Sequence, residues 1–413
     1  MALLTAQRRR LHRPLDAVAL TVSGNEMADT FGVSRKAGAA GDGKTFPDRS
    51  VGVWPAATNL CINGNATTNT TGVTDNSSTT TRATTGTVKF GSTCFNVVSS
   101  NLAANEGPSQ AVNGGVGSTL YTVSVWAWLV SGAATVRAVL SDSVAGKQGS
   151  AGVVLTTTPV RISVTATTGA LGASVASYIE TTVQAVGTWR IGGWQVETTN
   201  IATPYIETDG ATATRSAGRI RFPDVLGMDE TAMFLACRFR YNYSSAQTTP
   251  RFHVILSWTD NANEQVELIQ DLTNGTWRCT RYTAGAGAEA TVAVGTWANG
   301  DEVTIVARWS ATQVAVSING GAFTAVGNTN IPTLTSTTPD IGANNETPGR
   351  ELCGEIRFLA IGRGRDADVV DAAFASQMHT IGVGGGVPDP YDLPGASIMV
   401  FDGRNAVAVR RVT

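Results

Sequence analysis

Side chains able to do chemistry are thinly spread along these 413 residues. Residues 38–45, GAAGDGKT, fit the pattern G-x-x-x-x-G-K-[ST] letter for letter. A working phosphate loop needs a buried strand before it and a helix starting at the lysine, whose N-terminal amides hold the phosphates. Here Val33-Ser-Arg-Lys-Ala precedes and Pro47-Asp48 follows, without helical periodicity, so the stretch reads as a Gly-rich linker. His12, His253 and His379 share no metal or triad spacing. Acid–base work by two carboxylates across a cleft finds no pair: Glu264 with Glu267, and Asp301 with Glu302, have the wrong strand parity or sit at turns. Asp260, Asn261 and Asp340 could bind calcium, but isolated loop groups of this kind read as solvated. The five cysteines, Cys61, Cys94, Cys237, Cys279 and Cys353, contain no CxxC pair and read as buried reduced thiols. Cys61–Cys94 is the one pair in which a bond is worth checking. No catalytic residue, metal or cofactor is assigned, and the chain reads as a non-enzyme.

The elements that would have to position such groups are strands. Charged residues make up only 15%, with Thr, Gly, Ala and Val abundant, which favours strands and turns over long helices. The length implies two or three domains. A net charge of −2 gives no general attraction to nucleic acid, and no run is long and apolar enough to cross a membrane. The apolar stretch 17–22 is too short for a secretory signal.

Residues 1–50 read as a basic arm and linker, with eight Lys/Arg against five Asp/Glu and a cluster at Arg8, Arg9, Arg10 and Arg13. So polar a segment would fray alone, so it is expected to anchor on a partner subunit. Residues 51–218 read as a first β-sandwich. Leu120-Tyr-Thr-Val-Ser-Val-Trp-Ala-Trp alternates, with Tyr121, Val123 and Val125 on one face and Leu120, Thr122, Ser124, Trp126 and Trp128 on the other. Further strands are expected over 134–140, 160–167, 177–183 and 189–197. Residues 219–379 read as a second sandwich, with strands over 231–241, 251–258, 265–270, 275–282, 303–309 and 313–318. Asn319-Gly320-Gly321 predicts a tight hairpin turn, and 366–377 a short helix capped by Asp366 or Asp368. Residues 380–413 read as a Gly/Pro linker and a hairpin around Asp402-Gly403, too small to stand alone.

The first sandwich resembles the carbohydrate-binding-module type of jelly roll found in phage virion proteins and glycanases. The residues carrying the likeness are Asn59, Leu60 and Asn63; Gly91, Ser92 and Val97; Tyr121 to Ala127; and above all the closing pair G-W-Q-V-E (193–197) with A-T-x-Y-I-x-T (202–208). The second resembles the laminin-G/concanavalin-A-like jelly roll through W-x-x-G-D-x-V-T-I-x-A-R-W (297–309), V-x-V-S-I-N-G-G-A-F (314–323), D-I-G-A-N (340–344) and G-E-I-R-F-L-A-I (354–361). The resemblance implies two tandem jelly rolls in a structural protein on a phage virion, decorating the capsid or associated with the tail, made in the host cytoplasm and contacting other virion proteins, with a homo-oligomer expected. Its alternative is an adhesin for host-surface glycan. Sugar stacking would then fall to Trp126, Trp128, Trp189 and Trp194, candidates by residue type alone and equally suited to a core.

Overall fold

The computed structural model describes residues 21–23, 26–28, 34–36, 51–84, 93–100, 104–170, 174–184, 186–215, 219–221, 231–247, 252–261, 263–334, 339–344, 350–363, 398–401 and 406–409. Among these residues every regular element is a strand, as the composition predicts, and there is no helix. The cluster Arg8, Arg9, Arg10 and Arg13, the stretch 38–45, Gly91 and Ser92, the helix expected over 366–377, the linker after it and the turn Asp402-Gly403 lie outside the described residues.

The first sandwich packs a five-stranded antiparallel sheet on a six-stranded one. The five run in the order Val160–Thr167, Leu120–Ala133, Val186–Glu197, Cys94–Ser99 and Ser78–Ala83. The six run Gly146–Gly149, Thr135–Asp142, Val175–Thr181, Gly107–Ala111 and Val73–Asn76, with Val153–Val154 pairing on Thr135–Asp142. Alternation decides the core. Tyr121, Val123, Val125 and Ala127 from one sheet meet Val136, Ala138 and Leu140 from the other, all buried.

One glycine alters that alternation. Gly193 has φ +63°, and the register slips between Ser124/Gln195 and Trp126/Gly192, so Gly193 and Trp194 together face Val125. This is a β-bulge with glycine in the left-handed region. It reverses the strand's parity, so Trp189 and Ile191 before it and Trp194 and Val196 after it all point into the core. An added Cβ would also meet Trp126 Cδ1 at 3.2 Å. Gly193→Ala is therefore expected to cost about 1–2 kcal/mol, read as a lower urea midpoint with an unchanged denaturant slope.

The second sandwich pairs a seven-stranded sheet with an eight-stranded one. The first runs Thr21–Ser23, Arg219–Arg221, Asp340–Ile341, Phe252–Asn261, Glu264–Asp271, Thr276–Thr283 and Ala286–Ala293. The second runs Thr324–Gly327, Gln313–Ile318, Glu302–Ser310, Ala232–Tyr241, Gly354–Arg363, Ile398–Phe401 and Ala406–Val409, with Val51–Val53 as the eighth strand pairing on Gly354–Arg363. Met233, Leu235, Cys237 and Phe239 face Leu268, Trp277 and Cys279 across its core. Asn319 and Gly320 take φ 49° and 74°, as the hairpin sequence requires.

Two segments lie elsewhere than the sequence suggested. Val51–Val53, placed with the first module by its position, pairs with Gly354–Ile356 of the second. Thr21–Ser23, part of the supposed anchoring arm, pairs with Arg219–Arg221 of the same chain. Ile398–Phe401 pairs with the other half of Gly354–Arg363, at Leu359–Gly362, so the hairpin packs on its own second sandwich. The physical reason is common to both ends. An open strand edge has unpaired backbone groups, and the chain's own terminal segments satisfy them. The two sandwiches also touch directly, because Ile201, after the last strand of the first, is buried in the core of the second beside Cys353 and Leu352.

Candidate functional site

The tryptophans were the first candidates, and the fold disposes of most of them. Trp189 and Trp194 lie in the first core, Trp194 edge-on to Phe95 with centroids 6.2 Å apart. Trp128 is buried with Cys94 and Tyr205, and Trp126 is half-buried against them. Trp128, Trp189 and Trp194 present no ring face on which a ligand could stack. Their large apolar area is used inside.

The closing pair proves to be a buried polar lock. Gln195 Oε1 accepts from Ile206 N at 2.6 Å, and its Nε2 donates to Thr203 O at 3.2 Å. Glu197 accepts from Thr203 N at 3.1 Å and from Thr203 Oγ1. Arg161 donates to Ser124 Oγ at 3.0 Å and to Thr203 O, and Arg215 to Pro204 O at 3.2 Å. Asn59 Nδ2 donates to Trp194 O and Ile206 O, while its Oδ1 accepts from Cys61 N and Val196 N. Burial raises the Glu197 carboxyl, with the Arg215 guanidinium and the bond from Thr203 pulling the other way. The cluster ties the exit segment across the five-stranded sheet, which is why Thr122 and Ser124 are buried on that face. It is architecture, turned inward on the chain itself.

The six-stranded sheet leaves its outer face open. Register sets three rows across it. The middle row runs Gly149, Val139, Tyr178, Ser109, Thr74. On one side lie Lys147, Ser141, Ala176 and Ala111, and on the other Arg137 opposite Glu180. Tyr178, half-buried, is thus the one ring in a shelf of small side chains. Gly149 packs close on its neighbours, since a Cβ there would sit 3.1 Å from Val139 and 3.2 Å from Arg137 Cδ. Val139 is fully buried, so the accessible part of the row is Tyr178, Ser109 and Thr74. Glu180 is fully buried and accepts from Arg137 Nη2 at 2.8 Å and Lys147 Nζ at 2.5 Å, with side-chain exposures of 30% and 39% for the two cations. Arg137 also donates to Asn105 Oδ1 at 3.0 Å. The Lys147 ammonium lies 4.4 Å from the Tyr178 ring centroid. An aromatic ring flanked by fixed polar groups on a flat, partly wet surface is suited to a ligand with one apolar face and many hydroxyls. Sequence reading missed these residues because they come from three strands, each with an ordinary pattern.

The second sandwich holds its polar groups more tightly. On the outward face of its seven-stranded sheet, Glu267 lies opposite Ser257 on one side and Thr280 on the other. Its carboxylate accepts from Ser257 Oγ at 3.2 Å and Asn344 Nδ2 at 2.7 Å, and burial raises it. Glu289, paired to Arg278 at 2.9 Å and bonded by Tyr282, faces Thr280 from the next strand. Glu264 sits at the turn, as expected, bonded to Thr283 and Ala284 N. Inside, His253 Nδ1 is 2.5 Å from the Tyr243 hydroxyl oxygen, and that hydroxyl donates to Gln270 Oε1 at 3.2 Å. Burial pushes His253 from 6.5 down to about 3, so the ring is neutral. All five cysteines are buried and free, so Cys61 and Cys94 are not bonded. Burial raises their thiols, Cys94 to about 11 and Cys61 to about 12, so neither is a ready nucleophile. Among the described residues no three His, Cys, Asp or Glu side chains are placed to hold a metal ion.

No protein-family model matches the chain, and no curated protein matches it. Solved structures with similar chain traces include the CBM22-1 xylan-binding domain of Paenibacillus barcinonensis Xyn10C, at 18% identity and TM-score 0.28 over 34% of this chain and 90% of that one. Domains LG4-5 of the mouse laminin alpha1 chain match at 11% identity and TM-score 0.27, over 63% of this chain and 87% of that one. The enzymatically active domain of bacteriophage CBA120 tailspike protein 4 matches at 17% identity and TM-score 0.28, over 33% of this chain and 21% of that one. Likenesses this low assign no ligand. The functional reading rests on the chain's own geometry.

Proposed function

We propose that the protein is a carbohydrate-binding adhesin that holds glycan on the outer face of the six-stranded sheet of its first sandwich. The observation behind this is the placement of Tyr178 in a row of Gly, Val, Ser and Thr, with Arg137, Lys147, Glu180 and Asn105 fixed around it. The role is binding without turnover. The test is a glycan array followed by titration of the best ligand. Tyr178→Ala is expected to weaken binding about tenfold or more, the usual weight of an aromatic anchor, in a protein that still unfolds cooperatively on heating. No saturable binding to any glycan, or binding indifferent to Tyr178→Ala, would sink the proposal.

A place on the surface of a phage particle is a second proposal, favoured by the sequence of the closing pair. Gln195 and Glu197 are both engaged in holding the exit segment, so the pair speaks for the architecture more directly than for the particle. Mass spectrometry of purified virions decides it, by finding the chain at a fixed copy number or not at all.

A further inference from the structure

We infer that the ligand of this face is an anionic saccharide, one bearing uronate carboxylates or sulfate esters. The inference rests on the carbohydrate reading and narrows it to a charge class.

Consider first what the face offers a neutral sugar. Glu180, the only carboxylate in these rows among the described residues, already accepts from Arg137 Nε at 3.2 Å, Arg137 Nη2 at 2.8 Å and Lys147 Nζ at 2.5 Å, with its own side chain fully buried. It has no exposed oxygen to offer a hydroxyl. The Tyr178 ring is overlain by the Lys147 ammonium. A neutral pyranose stacking there has to displace that cation, losing both its contact with the ring and its pairing with Glu180, and provides no charge in return.

An anion meets a different surface. Arg137 and Lys147, two cations against the single carboxylate of Glu180, leave the face with one net positive charge. Both cations are partly open to water while the acid is not. An ammonium has three donors and a guanidinium five, so each keeps protons free for a second acceptor while still holding Glu180. The remaining charges of these strands do not compete. Asp75 is bonded to Ser78 Oγ at 3.1 Å, Thr80 N at 3.0 Å and Thr80 Oγ1. Asp142 is bonded to the backbone N–H of Val144 and Ala145 at 2.7 Å and of Gly169 at 3.2 Å. A carboxylate or sulfate set beside the ring thus meets Lys147 where it stands, and the sugar body rests against Tyr178 and extends over Ser109, Thr74 and Ala111.

The test titrates the full-length chain with two matched pairs of polymers. The first is polygalacturonate against its methyl ester, which has the same backbone without the charge. The second is dextran sulfate against dextran. Binding is expected to be about tenfold tighter for the charged member of at least one pair, the size of one charge-assisted hydrogen bond, and to weaken with added salt. Which pair discriminates separates carboxylate from sulfate. Lys147→Gln is expected to abolish the preference, and Lys147→Arg to retain most of it. If the neutral member binds equally well and binding is still lost in Tyr178→Ala, the carbohydrate reading stands and the anionic class falls. If charged polymers bind but Lys147→Gln and Arg137→Gln, each folded by thermal unfolding, leave that binding unchanged, the attraction lies elsewhere and the inference is overturned. If none of the polymers binds, the anionic class falls and the glycan array decides the parent reading on its own.

Discussion

Glu197→Ala is expected to destabilise the fold by about 3–5 kcal/mol, the usual consequence of removing one partner from a buried charged group. Glu197 is fully buried, and its charge faces the guanidiniums of Arg215 and Arg161. Its removal takes away the carboxylate that the guanidiniums of Arg215 and Arg161 face, and frees Thr203 N–H from its acceptor. The exit segment then keeps its bonds from Gln195, Asn59, Arg161 and Arg215 but loses the one carboxylate among them. Ile201, four residues after Glu197, anchors in the second core, so loosening is expected to reach both sandwiches. Glu197→Gln keeps an acceptor for Thr203 and is expected to lose less. Urea unfolding followed by tryptophan fluorescence measures both. Equal midpoints for wild type and Glu197→Ala would show that the lock contributes nothing to stability.

Acid is expected to unfold the second sandwich through His253. Its folded value of about 3 lies below the ordinary 6.5, so the unfolded chain takes up the proton first. The stability from keeping this ring neutral is present above pH 6.5 and is lost as the pH falls from 6.5 towards 3. At pH 4 the loss amounts to about 3 kcal/mol relative to pH 7. Glu197 and Glu267 act in the opposite sense, because their folded values are raised. Their stability is present below their unfolded values and fades as the pH rises through the folded ones. The clean readout is therefore a difference between wild type and His253→Gln, each unfolded in urea from pH 7 to 4. The gap is expected to narrow, or change sign, by about that amount. A gap independent of pH would show that His253 titrates alike in both states.

Much of the architecture could be read from the chain. Strict alternation at Tyr121, Val123 and Val125 and at Met233, Leu235, Cys237 and Phe239 set those faces correctly, since burial on one side of a sheet leaves only one workable register. The tryptophans could not be placed in this way. Trp189 and Trp194 are five apart and ought to face opposite sides, and a single left-handed glycine between them puts both inside. The candidate face was also hidden. Tyr178, Arg137, Lys147 and Glu180 are unremarkable in their own strands and meet through pairing across the sheet. A trace existed, because Arg137 and Glu180 stand at outward positions in a module with few charges, and two opposite charges at such positions invite pairing.

The order of synthesis gives the paired ends a further meaning. Val51–Val53 leaves the ribosome well before its partner Gly354–Ile356 exists, and Thr21–Ser23 before Arg219–Arg221. The first sandwich lies between these early strands and the body they complete. It is an insertion within the second sandwich and can close while the early strands still wait. Contacts so distant in sequence make the final step slow, so the second sandwich is the last part of the chain to become itself.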